Sequence, residues 1–460
     1  MSERLRSVGL DVGTTSTQLI LSELTVENRS TGFAVPEMEI TNRQILYKSP
    51  VYFTPLIGEN LVDGQGVRKI VEDEYAKAGI ERETVDTGAI IITGETSRKE
   101  NARAVLDALS SFAGEFVVAT AGPDLESVLA ARGAGAVDYS SESGKTVLHM
   151  DIGGGTSNLA LIEEGKIVAT GCLNVGGRLM KVNADGQVTY VSPVLSGLTD
   201  VKTGQKPSLG QLEEIAQLLT NALEMAAGLR EETPLLKQLT TWETVGEFPR
   251  PEGKIVISFS GGVADCILQD HPPFAFGDIG PILGKAIRES RLCAGEYMLG
   301  QETIRATVIG AGCHSAQLSG STVFYKNVEL PLKNLPVILF SAEEQEMETL
   351  DKLICQRLEQ IDGKTAVLAF PGYPSPDYEK VTNLAEKISR GIQQRPAYIC
   401  LREDMAKALG HSLILRLPRS APCLCLDRIQ LTEGSFLDVG VPVGPALPVV
   451  VKTLVLSREK

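Results

Sequence analysis

Aromatic side chains are scarce in this chain: 1 Trp, 10 Tyr and 12 Phe make up 5% of its 460 residues. Apolar residues still reach 43%, so the cores must be built from Val, Ile, Leu and Ala, the composition of strands buried on both faces. Histidine is scarcer, with 4 in the chain. The 8 cysteines (Cys172, Cys266, Cys293, Cys313, Cys355, Cys400, Cys423, Cys425) never fall at C-x-x-C spacing. This excludes the usual zinc and iron–sulfur frameworks and leaves reduced, mostly buried thiols of a cytosolic protein as the expectation. His314 and His411 have no paired ligands near them in sequence. Positive charge is in deficit, with 44 Lys and Arg against 58 Asp and Glu and a net charge of −14. Such a surface repels phosphate backbones, so nucleic acid is not the expected partner. No apolar run reaches the roughly 18 residues that a membrane-spanning helix needs. The short charged stretch 1–7 does not read as a signal peptide.

What is present is a pair of glycine turns of one design. Residues 148–156 read Leu148-His149-Met150-Asp151-Ile152-Gly153-Gly154-Gly155-Thr156, between two apolar segments. Strand, glycine turn, strand predicts a β-hairpin. Three glycines cost backbone entropy in an ordinary hairpin. They also remove every Cβ, so that successive N–H groups can close around an anion. The Asp at the head suits a magnesium ion, which takes carboxylate and phosphate oxygens together. The Thr at the tail offers a hydroxyl to a phosphate. Residues 8–18 repeat the pattern as Val8-Gly9-Leu10-Asp11-Val12-Gly13-Thr14-Thr15-Ser16-Thr17-Gln18, about 140 residues earlier. Two such hairpins suggest two related halves facing one triphosphate. On this reading Asp11 and Asp151 are the metal candidates. Gly13, Thr14, Thr15, Gly153, Gly154, Gly155 and Thr156 are the phosphate-binding ones.

These two motifs, in this order, resemble the phosphate loops of the actin, Hsp70 and sugar-kinase superfamily of ATPases. The resemblance implies an α/β fold with an actin/Hsp70-like duplicated ATPase core, two half-domains around a nucleotide cleft, and ATP and Mg²⁺ as cofactors. It also lends meaning to two further stretches. Residues 125–136 predict a small-residue helix; in the superfamily a Glu-headed helix of this kind is the first inter-domain connection. Glu126 then stands near the attacking water or the metal, and Glu126 and Asp151 become the catalytic candidates. A buried strand at 255–259 runs into Ser260-Gly261-Gly262-Val263-Ala264-Asp265, where the superfamily holds the adenosine, so Gly261 and Gly262 are assigned to it. Val308-Ile309-Gly310-Ala311-Gly312 competes as another strand meeting glycines. The loop at 260–264 is preferred, because residues 278–286 then fall in place as the second connecting helix. Three units are expected: 1–145 with the first phosphate loop, 146–290 with the second phosphate and adenosine loops, and 291–460 as an additional C-terminal α/β domain. Further helices are expected at 65–78, 98–112, 209–229, 342–360, 377–394 and 404–409.

Phosphate loops give ATP and nothing more specific. Other stretches narrow the reading: Thr93-Gly94-Glu95-Thr96-Ser97-Arg98, Phe276-Gly277-Asp278-Ile279-Gly280-Pro281, Ile304-Arg305-Ala306-Thr307 and Phe436-Leu437-Asp438-Val439-Gly440. They resemble the ethanolamine ammonia-lyase reactivating factors, the EutA family, over essentially the whole chain. That resemblance implies a chaperone-like ATPase whose partner is ethanolamine ammonia-lyase. It would promote release of damaged cobalamin so that intact adenosylcobalamin can bind. It further implies a cytoplasmic setting, with association with a bacterial microcompartment and homo-oligomer formation left open. Two other classes stay in view: a small-molecule kinase, with Glu95 and Asp124 as candidate bases, and an actin-like scaffold.

Overall fold

The strand Glu3–Val12 turns into Ser16–Asn28 as a regular antiparallel hairpin, with Asp11 opposite Gln18. Met38–Lys48 and the short Tyr52–Phe53 extend it on one side. On the other side Thr87–Ile92 runs parallel to the first strand, and Val117–Thr120 parallel to that. The computed structural model describes residues 3–13, 16–28, 38–57, 61–81, 84–92, 117–120, 123–241, 248–251, 253–300, 302–314, 316–318, 322–361, 365–429, 431, 435–442 and 447–453. The helix expected at 98–112 and the stretch 93–97 lie outside these residues.

Alternation along the first strand shows why both faces are apolar. Val8, Leu10 and Val12 join Leu19, Leu21, Ile90 and Ile92 against Val67, Val71 and Tyr75 of the helix Gly64–Ala78. Leu5 lies on the opposite face, with Leu24, Val26 and Ile91, against Leu129 and Ala311. A side-chain period of two puts Asp11 on this second face.

The second half repeats the plan. Val147–Ile152 and Ser157–Glu163 form the hairpin, Lys166–Leu173 extends it, and Val256–Ser260 runs parallel to its first strand, followed by Tyr297–Leu299. Leu148, Met150 and Ile152 enter a core closed by the helices Leu209–Ala226, Gly262–Leu268 and Gly280–Arg288. Leu209–Ala226 starts at a reciprocal cap, Ser208 with Gln211, which satisfies two orphan donors at once. Val147 turns to the other face, toward Ala131 and Ala136, and Asp151 follows it.

Two helices cover these second faces, Pro123–Gly133 and Ala306–His314. They cross with almost no side chain between them. A Cβ on Gly133 would overlap the Ala306 carbonyl, and one on Gly310 the Leu129 carbonyl. The strand expected at 308–312 is therefore a helix. Its β-branched Val308 and Ile309 favour a strand locally, and packing on the neighbouring helix and on the first hairpin overrides that preference. The second connecting helix expected at 278–286 is instead Gly280–Arg288, packed in the core of the second half. The helix predicted at 125–136 is Pro123–Gly133 and then Ala136–Ser143, divided where Gly135 adopts a φ of 77°.

The rest builds an eight-stranded sheet in the order Ala316–Leu318, Pro448–Thr453, Ser435–Val439, Leu332–Leu339, Val367–Phe370, Ala397–Leu401, Cys423–Asp427, Phe324–Lys326. The four strands from Leu332–Leu339 to Cys423–Asp427 are parallel, with helices Leu350–Glu359, Tyr378–Ile392 and Ala406–Ile414 on one face. The helix expected at 342–360 is two, Ala342–Glu346 and Leu350–Glu359, and the one expected at 404–409 runs over Ala406–Ile414.

Candidate functional site

The two glycine turns close identically. Gly13 N–H donates to the Ser16 carbonyl at 2.8 Å, and Gly153 N–H to the Thr156 carbonyl at 2.9 Å. Asp11 stands opposite Gln18, and Asp151 opposite Asn158. Directly paired residues of an antiparallel ladder project from the same face, so each acid has an amide beside it. Both amides are buried, Gln18 to 2% exposure and Asn158 to 4%. Gln18 Nε2 donates to the Ile304 carbonyl at 3.1 Å, and Asn158 Nδ2 to Glu126 Oε2 at 2.7 Å. The opposite ends, Gln18 Oε1 and Asn158 Oδ1, have no hydrogen-bond partner among the described residues. Such an acceptor costs about 1–3 kcal/mol when left unmet. A hard cation or its water shell would satisfy it.

The second loop is braced from behind. Gly177 N–H donates to the Gly153 carbonyl at 3.1 Å, and Arg178 N–H to the Gly154 carbonyl at 2.6 Å. The Arg178 side chain packs across Gly154 and gives Nε to Asp278 Oδ2 at 3.1 Å. Asp278 also accepts the Gly280 N–H at 2.8 Å. Burial raises the Asp278 carboxyl, and the Gly280 N–H and Arg178 oppose that rise. The Gly277-Asp278-Ile279-Gly280-Pro281 stretch thus anchors the residue that shapes the phosphate loop. On the far side, a Cβ on Gly155 would meet none of the described residues within 4 Å.

Asp151 is buried and its carboxyl is raised by that burial, against which two hydroxyls work. Ser260 Oγ donates to Oδ1 at 2.5 Å, and Thr307 Oγ1 to Oδ2 at 3.4 Å. Ser260 reaches Asp151 because the parallel register places them opposite each other. The same register sets Ser258 opposite His149. The fully buried imidazole lies between the two serines, Nδ1 2.9 Å from Ser258 Oγ and Nε2 3.0 Å from Ser260 Oγ. Burial pushes its pKa down to about 3, so the ring is neutral.

Gly261 follows with a φ of 87°, and any Cβ there would overlap the Ile152 backbone. Both facts require glycine and let the loop 260–264 lie directly against the end of the second phosphate hairpin. Gly262 opens the next helix. A segment absent from the predicted site, 302–307, ties these parts together. Thr303 accepts the Gly261 N–H at 2.9 Å and gives its hydroxyl to Asp265. Ile304 receives Gln18, Arg305 Nη2 donates to the Ser49 carbonyl at 3.2 Å, and Thr307 meets Asp151.

Of the predicted site residues, Asp151 pairs with Asn158, which donates to Glu126; Gly153 and Thr156 are joined across the turn that also holds Gly154 and Gly155; and Gly261, followed by Gly262, lies against the Ile152 backbone. Asp11 and Gly13 hold the matching places in the first hairpin, and Gln18 joins them to the 302–307 segment. Thr14 and Thr15 lie outside the described residues. Among the described residues no group of three or more His, Cys, Asp or Glu is placed to hold a metal ion by itself. Asp11 and Asp151 would thus need phosphate or water oxygens to complete a shell, the usual arrangement for magnesium. Sequence reasoning missed Gln18, Asn158, His149, Ser260, Arg178 and Thr307. A signal for the first two existed, because each amide follows its acid by the same interval (18 − 11 = 158 − 151 = 7).

The family model for the ethanolamine utilisation protein EutA matches residues 3–457. The chain is 39% identical to the ethanolamine ammonia-lyase reactivase EutA of Salmonella typhimurium, over 98% of this chain and 99% of that one. To the reactivase of the same name from Escherichia coli K12 it is 38% identical, with the same coverage. Among solved structures, a Ppx/GppA family member from Aquifex aeolicus matches with a TM-score of 0.41 and 14% identity, over 67% of this chain and 97% of its own. The ethanolamine utilization protein EutJ from Carboxydothermus hydrogenoformans matches with a TM-score of 0.32 and 19% identity, over 67% of this chain and 89% of its own. Both scores are low, so the two hairpins described above carry the fold. A model match over nearly the full length and two relatives near 39% identity lead to one conclusion: the chain belongs to the EutA family.

Proposed function

We propose that this protein is an ATP-dependent reactivating factor for ethanolamine ammonia-lyase, a chaperone-like ATPase of ethanolamine utilisation. The whole-chain similarity to two reactivases supports the client. The observation that carries the chemistry is the repeated acid–amide pair at two glycine turns, each amide with a buried oxygen that has no hydrogen-bond partner among the described residues.

This reading gives each residue a role. The open side of Gly153–Gly155 and the Thr156 hydroxyl receive phosphate oxygens, with Gly13, Thr14 and Thr15 doing the same from the first half. Gly261 and Gly262 leave room for the adenosine. Asp11 and Asp151 would hold Mg²⁺, which would supply charge neutralisation on the phosphates, with Gln18 and Asn158 adding neutral oxygens. Glu126, oriented by Asn158, takes the attacking water. Phosphoryl transfer of this kind is almost entirely positioning and charge stabilisation. Nucleotide turnover can drive the client toward releasing damaged cobalamin only by changing how tightly the factor holds the client's two forms. The three-unit division at 145 and 290 belongs to this reading, with 297–299 and 302–314 of the last unit completing the core. The runner-up, a small-molecule kinase, loses ground at Asp124, whose Oδ1 is engaged by Thr170 at 2.6 Å; Glu95 lies outside the described residues.

The test mixes ethanolamine ammonia-lyase blocked with an inactive cobalamin with this protein, ATP, Mg²⁺ and fresh adenosylcobalamin, and follows acetaldehyde production. Recovery with wild type and none with Asp151→Ala is expected. No recovery from a protein that still binds ATP would defeat the reactivase reading and call for a screen of phosphate acceptors.

A further inference from the structure

We propose that His149 is a positioning residue for Asp151, acting through Ser260 to fix which way that hydroxyl points. This rests on the nucleotide reading of the site above. The argument is one of proton count. Ser260 has a single hydroxyl proton and two neighbours, Asp151 Oδ1 at 2.5 Å and His149 Nε2 at 3.0 Å. An ionised carboxylate only accepts. If Nε2 carries a hydrogen, it donates to Ser260, and the serine proton is left for Asp151. If Nε2 is bare, it competes for that proton and Asp151 loses its donor. The other ring nitrogen decides. Nδ1 lies 2.9 Å from Ser258 Oγ, whose hydroxyl can donate to it and hold the hydrogen on Nε2. The chain then runs one way, from Ser258 to His149 to Ser260 to Asp151.

Nothing in the hairpin plan asks for this imidazole. The matching place in the first hairpin, two residues before Asp11, is Gly9, whose missing side chain makes room for the Val308 carbonyl and Gly312. His149 is wholly buried, as are Ser258 and Ser260, and an apolar residue would fill the space without three polar groups to satisfy. A buried polar chain with every member paired restricts its members to one arrangement. Here that arrangement faces a carboxylate that must stay aimed at a cation.

Two measurements on the full chain test the proposal. The first is ¹⁵N NMR of the wild-type imidazole. A hydrogen on Nε2 with bare Nδ1 is expected; the reverse tautomer breaks the chain and overturns the inference, whatever the variants do. The second is calorimetric titration with ADP across a range of Mg²⁺ concentrations. Ser260→Ala, which removes the donor outright, is expected to raise the Mg²⁺ requirement about tenfold, the effect of one lost charge-assisted hydrogen bond. His149→Phe, which keeps the serine proton but leaves the hydroxyl unaimed, is expected to raise it by a smaller factor, roughly threefold. ADP binding without Mg²⁺ should change little. His149→Gln, which keeps an N–H donor near the Nε2 position, should return toward wild type. The double variant should be no worse than Ser260→Ala, because residues acting in series are not additive. Losses that add, or a folded His149→Phe protein with the wild-type Mg²⁺ requirement, would overturn the positioning role alone. A wild-type protein without ADP affinity would overturn the nucleotide reading and this inference with it.

Discussion

Asn158 donates its amide to Glu126 Oε2 at 2.7 Å, joining the second phosphate hairpin to the first crossing helix. Both side chains are at least nine-tenths buried. Asn158→Asp keeps the shape and replaces the donor with a second carboxylate. Like charges then face each other where water does not screen them. The expected loss is about 1–3 kcal/mol at pH 7 in metal-free buffer, the scale of a buried partner removed. Urea denaturation reads it, and an unchanged midpoint would mean that the pair does not bear on folding.

Two glycines should respond in opposite ways to the same methyl group. Gly310→Ala drives a Cβ into the Leu129 carbonyl. Backbone cannot step aside as a side chain can, so a loss of about 3 kcal/mol or more is expected, at the upper end for overpacking. Gly155→Ala would meet none of the described residues within 4 Å and should fold normally, yet place its methyl where phosphate is expected. Thermal melts and ADP titrations separate the two. A stable Gly310→Ala protein, or a Gly155→Ala protein with full affinity, would contradict the assignment.

Thr156 sits half-buried at the tail of the second turn. Removing its hydroxyl with Thr156→Ala should weaken ADP binding roughly tenfold, one hydrogen bond to a charged group. Thr156→Ser should keep most of the affinity. Equal losses in both variants would assign the residue to packing.

In the C-terminal sheet, Asp427 ends a parallel strand with its side chain buried beside Asp404, and both carboxylates lie within hydrogen-bonding reach of the single Thr322 hydroxyl proton. Burial is the main cause that pushes its carboxyl from 3.8 up to about 6. Between those values the folded state holds more protons than the unfolded one. Its contribution to stability therefore falls as pH rises from about 4 to 6, and is level on either side. Asp427→Asn stays neutral throughout. The stability of Asp427→Asn relative to wild type should then rise across that window and level off above it. Denaturation at several pH values checks the slope, and a flat difference would show an Asp427 that titrates normally.

The phosphate hairpins were legible because chemistry and period coincide there: an acid, glycines and a hydroxyl interrupt two apolar strands at the same places. The adenosine loop at 260–264 was legible for a similar reason, a buried strand ending in two glycines. The crossing helix Ala306–His314 was not. Val308 and Ile309 between small residues read as a strand, and what makes them helical is a surface more than a hundred residues away in sequence, at Leu129 and Gly9. The role of Asp278 stayed hidden for the same cause, since its partner Arg178 lies 100 positions upstream. His149 looked like part of an apolar run, and only the parallel register with Ser258 and Ser260 makes it polar in function.

The helix Ala306–His314 rests on the first hairpin at Gly9, where Ser7 Oγ also donates to the Gly312 carbonyl at 2.5 Å. Its first turn reaches Asp151 through Thr307. Nine residues thus span from the strand that carries Asp11 to the acid of the other half. Main chain touches main chain along most of that path, and main chain has no rotamers in which a small shift could be absorbed. The helix works as a rigid gauge rod between the two acids. A displacement of the first hairpin is expected to carry the helix with it and to change the reach of the Thr307 hydroxyl to Asp151.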